Sequence, residues 1–520
     1  MIKGLSTRKL KLAMVILIFV LLIQLYGVTG SRVSASASPS PLTTTSATQL
    51  WNFTAQLSKL PFPLVVADGY VYAVSLYSGG TLHHLHCLNA STGIQIWNFT
   101  DEGKNIRFSP IVANGRVYVG TLFDGIYCFN ASTGTRLWNF KGGSVSGPPV
   151  IVGDYVYLGC DNYTMFTDSR IGFVYCLNAF TGAEIWNYAR QGTRFDSLLA
   201  VSNGNVYAVS NVYTEEPRSY DSAIYALNAY TGDRIWNTAT PGFLYPPIVA
   251  EGNVYASSTQ INSGGELYDG RLYAFNAANG SQLWSFEAGA NVTSPTVADE
   301  VIYFGSGDGN VYALSSSSGA KKWSYTTDSS MVTNYFGYEP EKPPLLVNNY
   351  LYVSSSDSVY CLNSLTGMKI WSYKTDRPLF SSPIVANGEV YIGSSDPGWF
   401  VGPHVDHNLY AFDALTGDKI WNYTFAGSVD SSPVIVGNIV YVGVSAVITE
   451  SPDFQGNGHV YALELSSVPS PPTTVSPSDL QLVIITVIVT VVILAVVFLF
   501  YRMRQKQRTP QKQSGSGQVE

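Results

Sequence analysis

Basic residues are scarce in the body of this chain. Between Ser38 and Asp479 stand 19 Lys and Arg against 35 Asp and Glu, a balance of −16 that the whole-chain value of −7 conceals. A phosphate-binding surface needs the opposite sign, so a nucleic-acid role is excluded. An acidic exterior suits solubility or a cationic partner. Cysteine is sparse as well: there are five, an odd number, and no two are adjacent. That excludes a disulfide framework of the kind that staples exported domains. Long apolar runs are missing except at the two ends, so nothing between them is predicted to cross a bilayer as a helix.

The two ends carry their own signals. Lys3, Arg8, Lys9 and Lys11 precede an apolar run from Leu12 to Val28, and Ala35-Ser36-Ala37 suits cleavage. Residues 1–37 therefore read as a signal peptide, with an uncleaved anchor as the alternative. A Ser/Thr/Pro spacer, 38–48, follows, and its composition favours an extended or disordered state. At the other end a Ser/Pro/Thr linker, 466–479, leads into an uncharged run, 480–501, long enough to span a hydrocarbon core of about 30 Å. Arg502, Arg504, Lys506, Arg508 and Lys512 follow it and mark 502–520 as a basic cytoplasmic tail. The expected product is a single-pass cell-membrane protein with everything between the apolar segments outside.

What the body has in abundance is repetition. Trp51, Trp97, Trp138, Trp186, Trp236, Trp284, Trp323, Trp371 and Trp421 recur at intervals of 39 to 50 residues. Between them the order is constant: a Pro-containing apolar strand, a Val-Tyr strand, a second Tyr strand, a Thr-Gly turn and the Trp strand. Four short strands at this period describe one propeller blade. Tyr holds the same place in all nine second strands (Tyr72, Tyr118 and onward to Tyr441) and in eight third strands, with His86 as the exception. These 17 of 35 tyrosines are blade packing, not a ligand box. Cys87, Cys128, Cys176 and Cys361 fill a slot where other units have Ala226, Ala274, Ala313, Ala411 and Ala462, and read as small core fillers.

The turn and Trp strand follow [Ala/Cys]-x-[Asn/Asp]-x-x-x-Gly-x-x-x-Trp in seven units, with Ser315 replacing Asn in an eighth. Gly93, Gly134, Gly182, Gly232, Gly280, Gly319, Gly367 and Gly417 each precede their Trp by four residues. Asn or Asp can bond its own turn and Gly can take a positive φ, while the indole fills the gap between wedge-shaped blades. This pattern resembles the pyrroloquinoline quinone (PQQ)-type, BamB-like β-propeller repeat, whose docking motif reads Ala-x-Asp-x-x-x-Gly-x-x-x-Trp. The fold class expected is all-β: a propeller of four-stranded blades over 49–465, with nine repeats counted and eight blades as the alternative, plus a C-terminal transmembrane helix. The first Trp strand and the terminal VYALEL (Val460 to Leu465) should complete one blade and close the ring.

The resemblance implies two functions. One is a PQQ-dependent dehydrogenase, with a vicinal Cys-Cys disulfide and a Ca²⁺ held by Glu, Asn and Asp; no adjacent cysteines exist here, so neither cofactor is expected. The other is a BamB-type assembly factor, although no lipoprotein Cys follows the signal. We therefore expect a non-catalytic binding or scaffolding module, with a surface carbohydrate-binding protein as a further alternative. The tight first-to-second and third-to-fourth strand turns should share one face. The long second-to-third connections, and 326–344, should share the other, which is the expected recognition face for a protein or surface polymer. All six histidines lie in or beside these connections. His83, His84, His404, Asp406, His407 and His459 form the candidate metal or pH-sensing patch. Trp399, Phe400, Tyr335 and Phe336 are the candidate contacts. Eight N-glycosylation sequons occur; those at Asn89 and Asn98 follow from the repeat itself, whereas Asn162 lies in a long connection.

Overall fold

The computed structural model describes residues 44–56, 58–77, 82–103, 105–106, 108–162, 170–195, 198–214, 219–261, 267–328, 342–379, 381–395, 407–445 and 456–467. Residues 1–43, the apolar run 480–501 and residues 502–520 lie outside them, as does most of the 466–479 stretch. No helix occurs among the described residues, and none there is long and apolar enough to cross a membrane.

Nine antiparallel sheets follow one another as a nine-bladed β-propeller. Blades 1 to 8 cover 58–100, 111–140, 144–191, 194–241, 243–288, 296–326, 345–374 and 384–424; blade 9 joins 434–467 to Thr44–Ala55 from the other end of the chain. The alternative of eight blades is thereby set aside: blade 6 ends at Thr326 and blade 7 begins at Leu345. Thr44–Ala55 pairs with Gly458–Ser467 from Thr44 opposite Ser467 to Ala55 opposite Gly458. The strand thus starts inside the stretch read as spacer, because its β-branched threonines find a partner edge that sequence reading placed no further than Leu465.

The composition of each strand follows from where it sits. Second and third strands are buried on both faces, as in Arg116–Thr121 and Gly125–Asn130, because each blade is covered by a neighbour on either side. Their residues are accordingly apolar or small throughout rather than alternating. Fourth strands alternate, as in Gln95–Thr100, where Trp97 alone is fully covered. The core is divided among the blade interfaces. One cluster joins Tyr72, Cys87 and Trp97 of blade 1 to Val117, Tyr127 and Phe129 of blade 2. Another joins Trp51, Tyr441 and Val460 of blade 9 to Val71 and Leu88 of blade 1, which closes the ring.

Two details depart from the sequence reading. The first strand is not one piece: Val65–Ala67 and Ser58–Lys59 pair with successive parts of the same second strand, and single bridges such as Ile106 to Thr121 repeat this elsewhere. Proline lies between the pieces in blade 1 (Pro61 and Pro63) and blade 2 (Pro110), and it cannot donate to a ladder. The long second-to-third connections are also partly strand. In blade 4, Asn211 to Thr214 pairs with Ser219 to Ser222, so the hairpin projects beyond the blade.

Candidate functional site

The best-defined constellation in the molecule is the clamp between blades. In blade 2 the Asn130 Oδ1 accepts the backbone N–H of Ser132 and Thr133 at 3.1 and 3.0 Å, which winds the turn. Gly134 then adopts φ 69°, and a Cβ there would stand 2.6 Å from the Trp97 ring of blade 1. Trp97 Nε1–H and the Tyr72 hydroxyl, both from blade 1, donate to the single carbonyl of Ala131 at 2.9 and 3.0 Å. The same pair of donors recurs from Trp138 and Tyr118 to Ala179, and from Trp371 and Tyr352 to Ala414. Each docking glycine therefore receives the Trp of the preceding blade rather than its own. The sequence motif located both residues but not this offset.

The second-strand tyrosines are thus more than filling. Burial raises the Tyr118 hydroxyl to about 12, with the Cys128 thiol adding to the shift, so it remains a donor at any ordinary pH. The Ala/Cys slot behaves as read: Cys87, Cys128, Cys176 and Cys361 are fully buried, and burial lifts each thiol to about 12. All five cysteines are free. Thiols held this way are poor nucleophiles, and none has the adjacent partner that a vicinal disulfide over PQQ requires. The cysteines present do not fit that cofactor arrangement.

The two rims differ as expected. Ala90 N–H donates to Gly69 O at 2.9 Å, which ties the third-to-fourth turn to the first-to-second turn on one face. Equivalent bonds recur in every blade, through Leu465 N–H to Asn438 O in blade 9. The other rim carries all of the extended hairpins. Trp399, Phe400, Tyr335 and Phe336 lie outside the described residues, as do His404 and Asp406.

The described histidines are spread over blades 1, 8 and 9. His83 Nδ1–H donates to Ile106 O at 2.6 Å, toward blade 2. His84, its strand neighbour, has Nδ1 3.0 Å from Thr100 Oγ1, and adjacent strand residues point to opposite faces, so these two rings do not converge. His86 lies 5.1 Å from the Phe53 ring of blade 9, and His459 Nδ1 is 3.2 Å from Thr54 Oγ1. His407 is buried at the start of the third strand of blade 8. Among the described residues no three His, Cys, Asp or Glu side chains stand together as a metal cluster would. His86, absent from the predicted patch, is the most strongly perturbed of them: burial lowers it to about 4, against a partial restoring hydrogen bond to Gln95.

Asn89 and Asn130 serve their turns through Oδ1, as the repeat demands. Asn98 and Asn162 are exposed, and Asn162 Oδ1 accepts Ile171 N–H at 2.7 Å. Asn291, also in a sequon, is buried.

With the ring and its clamps in view, the relationships of the chain are clear. The PQQ_2 family model, described as outer membrane protein assembly factor BamB, matches residues 40–211, 170–356 and 336–467. The chain belongs to this family. The BamB-type propeller also appears among solved structures, all of low identity. BamB from Moraxella catarrhalis is 17% identical and covers 81% of this chain and 100% of its own, with a TM-score of 0.45. A europium-containing methanol dehydrogenase is 14% identical over 81% of this chain and 94% of its own, with a TM-score of 0.50. The quinohemoprotein alcohol dehydrogenase of Comamonas testosteroni is 14% identical over 83% and 78%, also at 0.50. No curated protein matches the sequence. At these identities the likeness to the two dehydrogenases shows the propeller fold alone, since one fold hosts many functions.

Proposed function

We propose that this BamB-type propeller is a non-catalytic binding or scaffolding module, held at a cell membrane by residues 480–501 and presenting its long-hairpin rim to a protein or surface polymer. One observation carries the reading: a turn-to-turn bond ties every blade at the tight-turn rim, while variation in connection length falls on the opposite rim. A rigid frame with variable loops on one side is a recognition layout. The dehydrogenase reading is disfavoured by the inert, non-adjacent cysteines.

The test uses the full-length protein in its native membrane. A photo-reactive residue at position 399 should yield a discrete cross-linked species that disappears when the separate 446–457 connection of blade 9 is shortened, whereas one at position 416, on the tight-turn rim, should not. The same adduct from both positions, or an adduct indifferent to shortening, would end the proposal. A rise in melting temperature on adding PQQ with Ca²⁺ would favour the dehydrogenase instead.

A further inference from the structure

We propose that the tight-turn rim is a lipid-contacting face, seated on the bilayer that residues 480–501 enter. The inference rests on the anchored reading above and adds to it an orientation and a surface.

Both ends of the folded chain leave from that rim. The Leu465-to-Asn438 bond is the blade 9 member of the turn-to-turn series, so Leu465 stands where other blades make their third-to-fourth turn. The last strand continues two residues further, to Ser467 opposite Thr44, and the hydroxyls of Ser46 and Ser466 are 2.7 Å apart. From Ser467 the apolar run at Leu480 is separated by the twelve residues 468–479, four of them proline. A Pro-rich spacer extends about 3.1 Å per residue, which limits the reach to roughly 37 Å. Both described termini thus stand at the tight-turn rim, and twelve residues separate that rim from the apolar run.

The side chains of the tight turns agree. Ile94, Tyr230, Leu365, Met368 and Leu415 are 65, 61, 67, 70 and 54% exposed. The repeat does not require apolar residues at these turn positions, since Ser91, Ser132, Thr135 and Ser317 stand in equivalent places. Leu365 and Met368 belong to blade 7 and Leu415 to the next blade in the ring, blade 8, while Lys369 and Lys419 begin the fourth strands of these two blades. Exposed large apolar side chains spaced around one rim suit a flat apolar boundary, and those of blades 7 and 8, each followed by a lysine, suit the headgroup level, where the ammonium reaches outward. Asp233, Asp299, Glu300 and Asp418 lie on the same rim and offset the lysines. Seating should therefore depend on apolar contact and should not require anionic lipid.

The test takes the full-length protein in phosphatidylcholine vesicles. Leu365→Cys and Leu415→Cys report on this rim, and Phe123→Cys, in the exposed second-to-third turn of blade 2, on the other. The native thiols are buried and leave the new one as the label site. With an environment-sensitive fluorophore attached, brominated lipid should quench positions 365 and 415 about twofold or more, as expected of groups roughly 5–10 Å into the headgroup boundary. Position 123 should be unquenched. Vesicle flotation runs in parallel: a protein that fails to float overturns both the anchor and this inference. One that floats but shows equal quenching at all three positions overturns the inference alone. Excimers from pyrene at position 365 would assign the face to a second copy of the chain and would also overturn it.

Discussion

Blade 9 and the other eight blades reach the same sheet by different routes. Eight are continuous stretches of chain, whereas blade 9 takes three strands from one end and its outer strand from the other. On the side facing blade 1 the result is indistinguishable from the rest: Trp51 Nε1–H and the Tyr441 hydroxyl donate to Ala90 O at 3.0 and 3.2 Å, and Trp51 lies against Gly93. On the side facing blade 8 it is not. No turn joins the third strand to the fourth there, so the position four residues before Trp51 is Ala47, packed against the cluster that contains Trp421, Leu463 and Leu465. The Tyr391 hydroxyl, which elsewhere would seek the turn carbonyl, donates to buried Glu389 at 2.8 Å. A blade is thus defined by the donors it offers the next blade, and chain continuity matters only for the turn that receives them.

The largest effect should come from breaking the discontinuous blade. Deleting residues 44–55 removes Trp51 and uncovers the edge of Gly458–Ser467, which loses both its ladder and the seam to blade 1. Exposed edges invite pairing with other chains. The shortened protein should aggregate, or unfold without a cooperative transition. Truncating a buried Trp within a continuous blade, Trp97→Ala, should cost about 3–5 kcal/mol yet leave a cooperative transition. Denaturant unfolding followed by tryptophan fluorescence separates the two; a deletion no worse than the point substitution would mean that ring closure is not what blade 9 supplies.

A smaller effect sharpens the distinction between receiving turns and other turns of the same rim. Gly134 and Gly115 have nearly the same backbone, φ 69° and 68°, but a Cβ at Gly134 meets the Trp97 ring at 2.6 Å and one at Gly115 meets nothing within 4 Å. Gly115→Ala should cost only the left-handed strain, about 1–2 kcal/mol. Gly134→Ala adds displacement of a packed indole, for roughly 2–5 kcal/mol in all. Equal losses in melting studies would show that conformation, not the docked ring, explains the glycine.

How much of this was readable beforehand follows from what each residue responds to. The blade count, the Trp and Gly positions and the closing strand are set by periodic local chemistry, so they could be read from spacing. The partner of each Gly could not, because Gly134 and Trp138 are four apart in sequence while the contact runs to Trp97 in another blade. The outer-strand bulges were also hidden. Trp97 pairs with Cys87 but Gln95 with Leu88, which leaves Ile96 as the extra residue, exposed although apolar. Such bulges blunt an edge, a purpose that an alternating pattern does not announce. Of the candidate site, the division into two rims was legible from loop lengths. The behaviour of the histidines was not, since His83 and His84 differ in sequence by one step and in environment by a whole blade.

The smallest predicted effect concerns the seam that closes the ring. The Nδ1–H of His86 donates to Gln95 Oε1 at 2.9 Å, Nε2 lies 2.9 Å from the Ser75 hydroxyl, and Phe53 of blade 9 covers the ring. Burial holds this imidazole neutral down to about pH 4, while in the unfolded chain it protonates below about 6.5. Its contribution to stability is therefore complete above pH 6.5 and is lost as the pH falls toward 4. Between pH 7 and pH 5 the loss should be about 2 kcal/mol, since each tenfold difference in proton affinity between the folded and unfolded chain is worth about 1.4 kcal/mol. His84 and His459, also lowered by burial, add in the same direction. His86→Tyr installs the residue that the other eight third strands carry at this position, and it should remove about 2 kcal/mol of that pH dependence. Unfolding midpoints at the two pH values, with and without the substitution, decide the matter. A wild-type protein whose stability falls no faster than that of His86→Tyr would show that acid does not act at this seam.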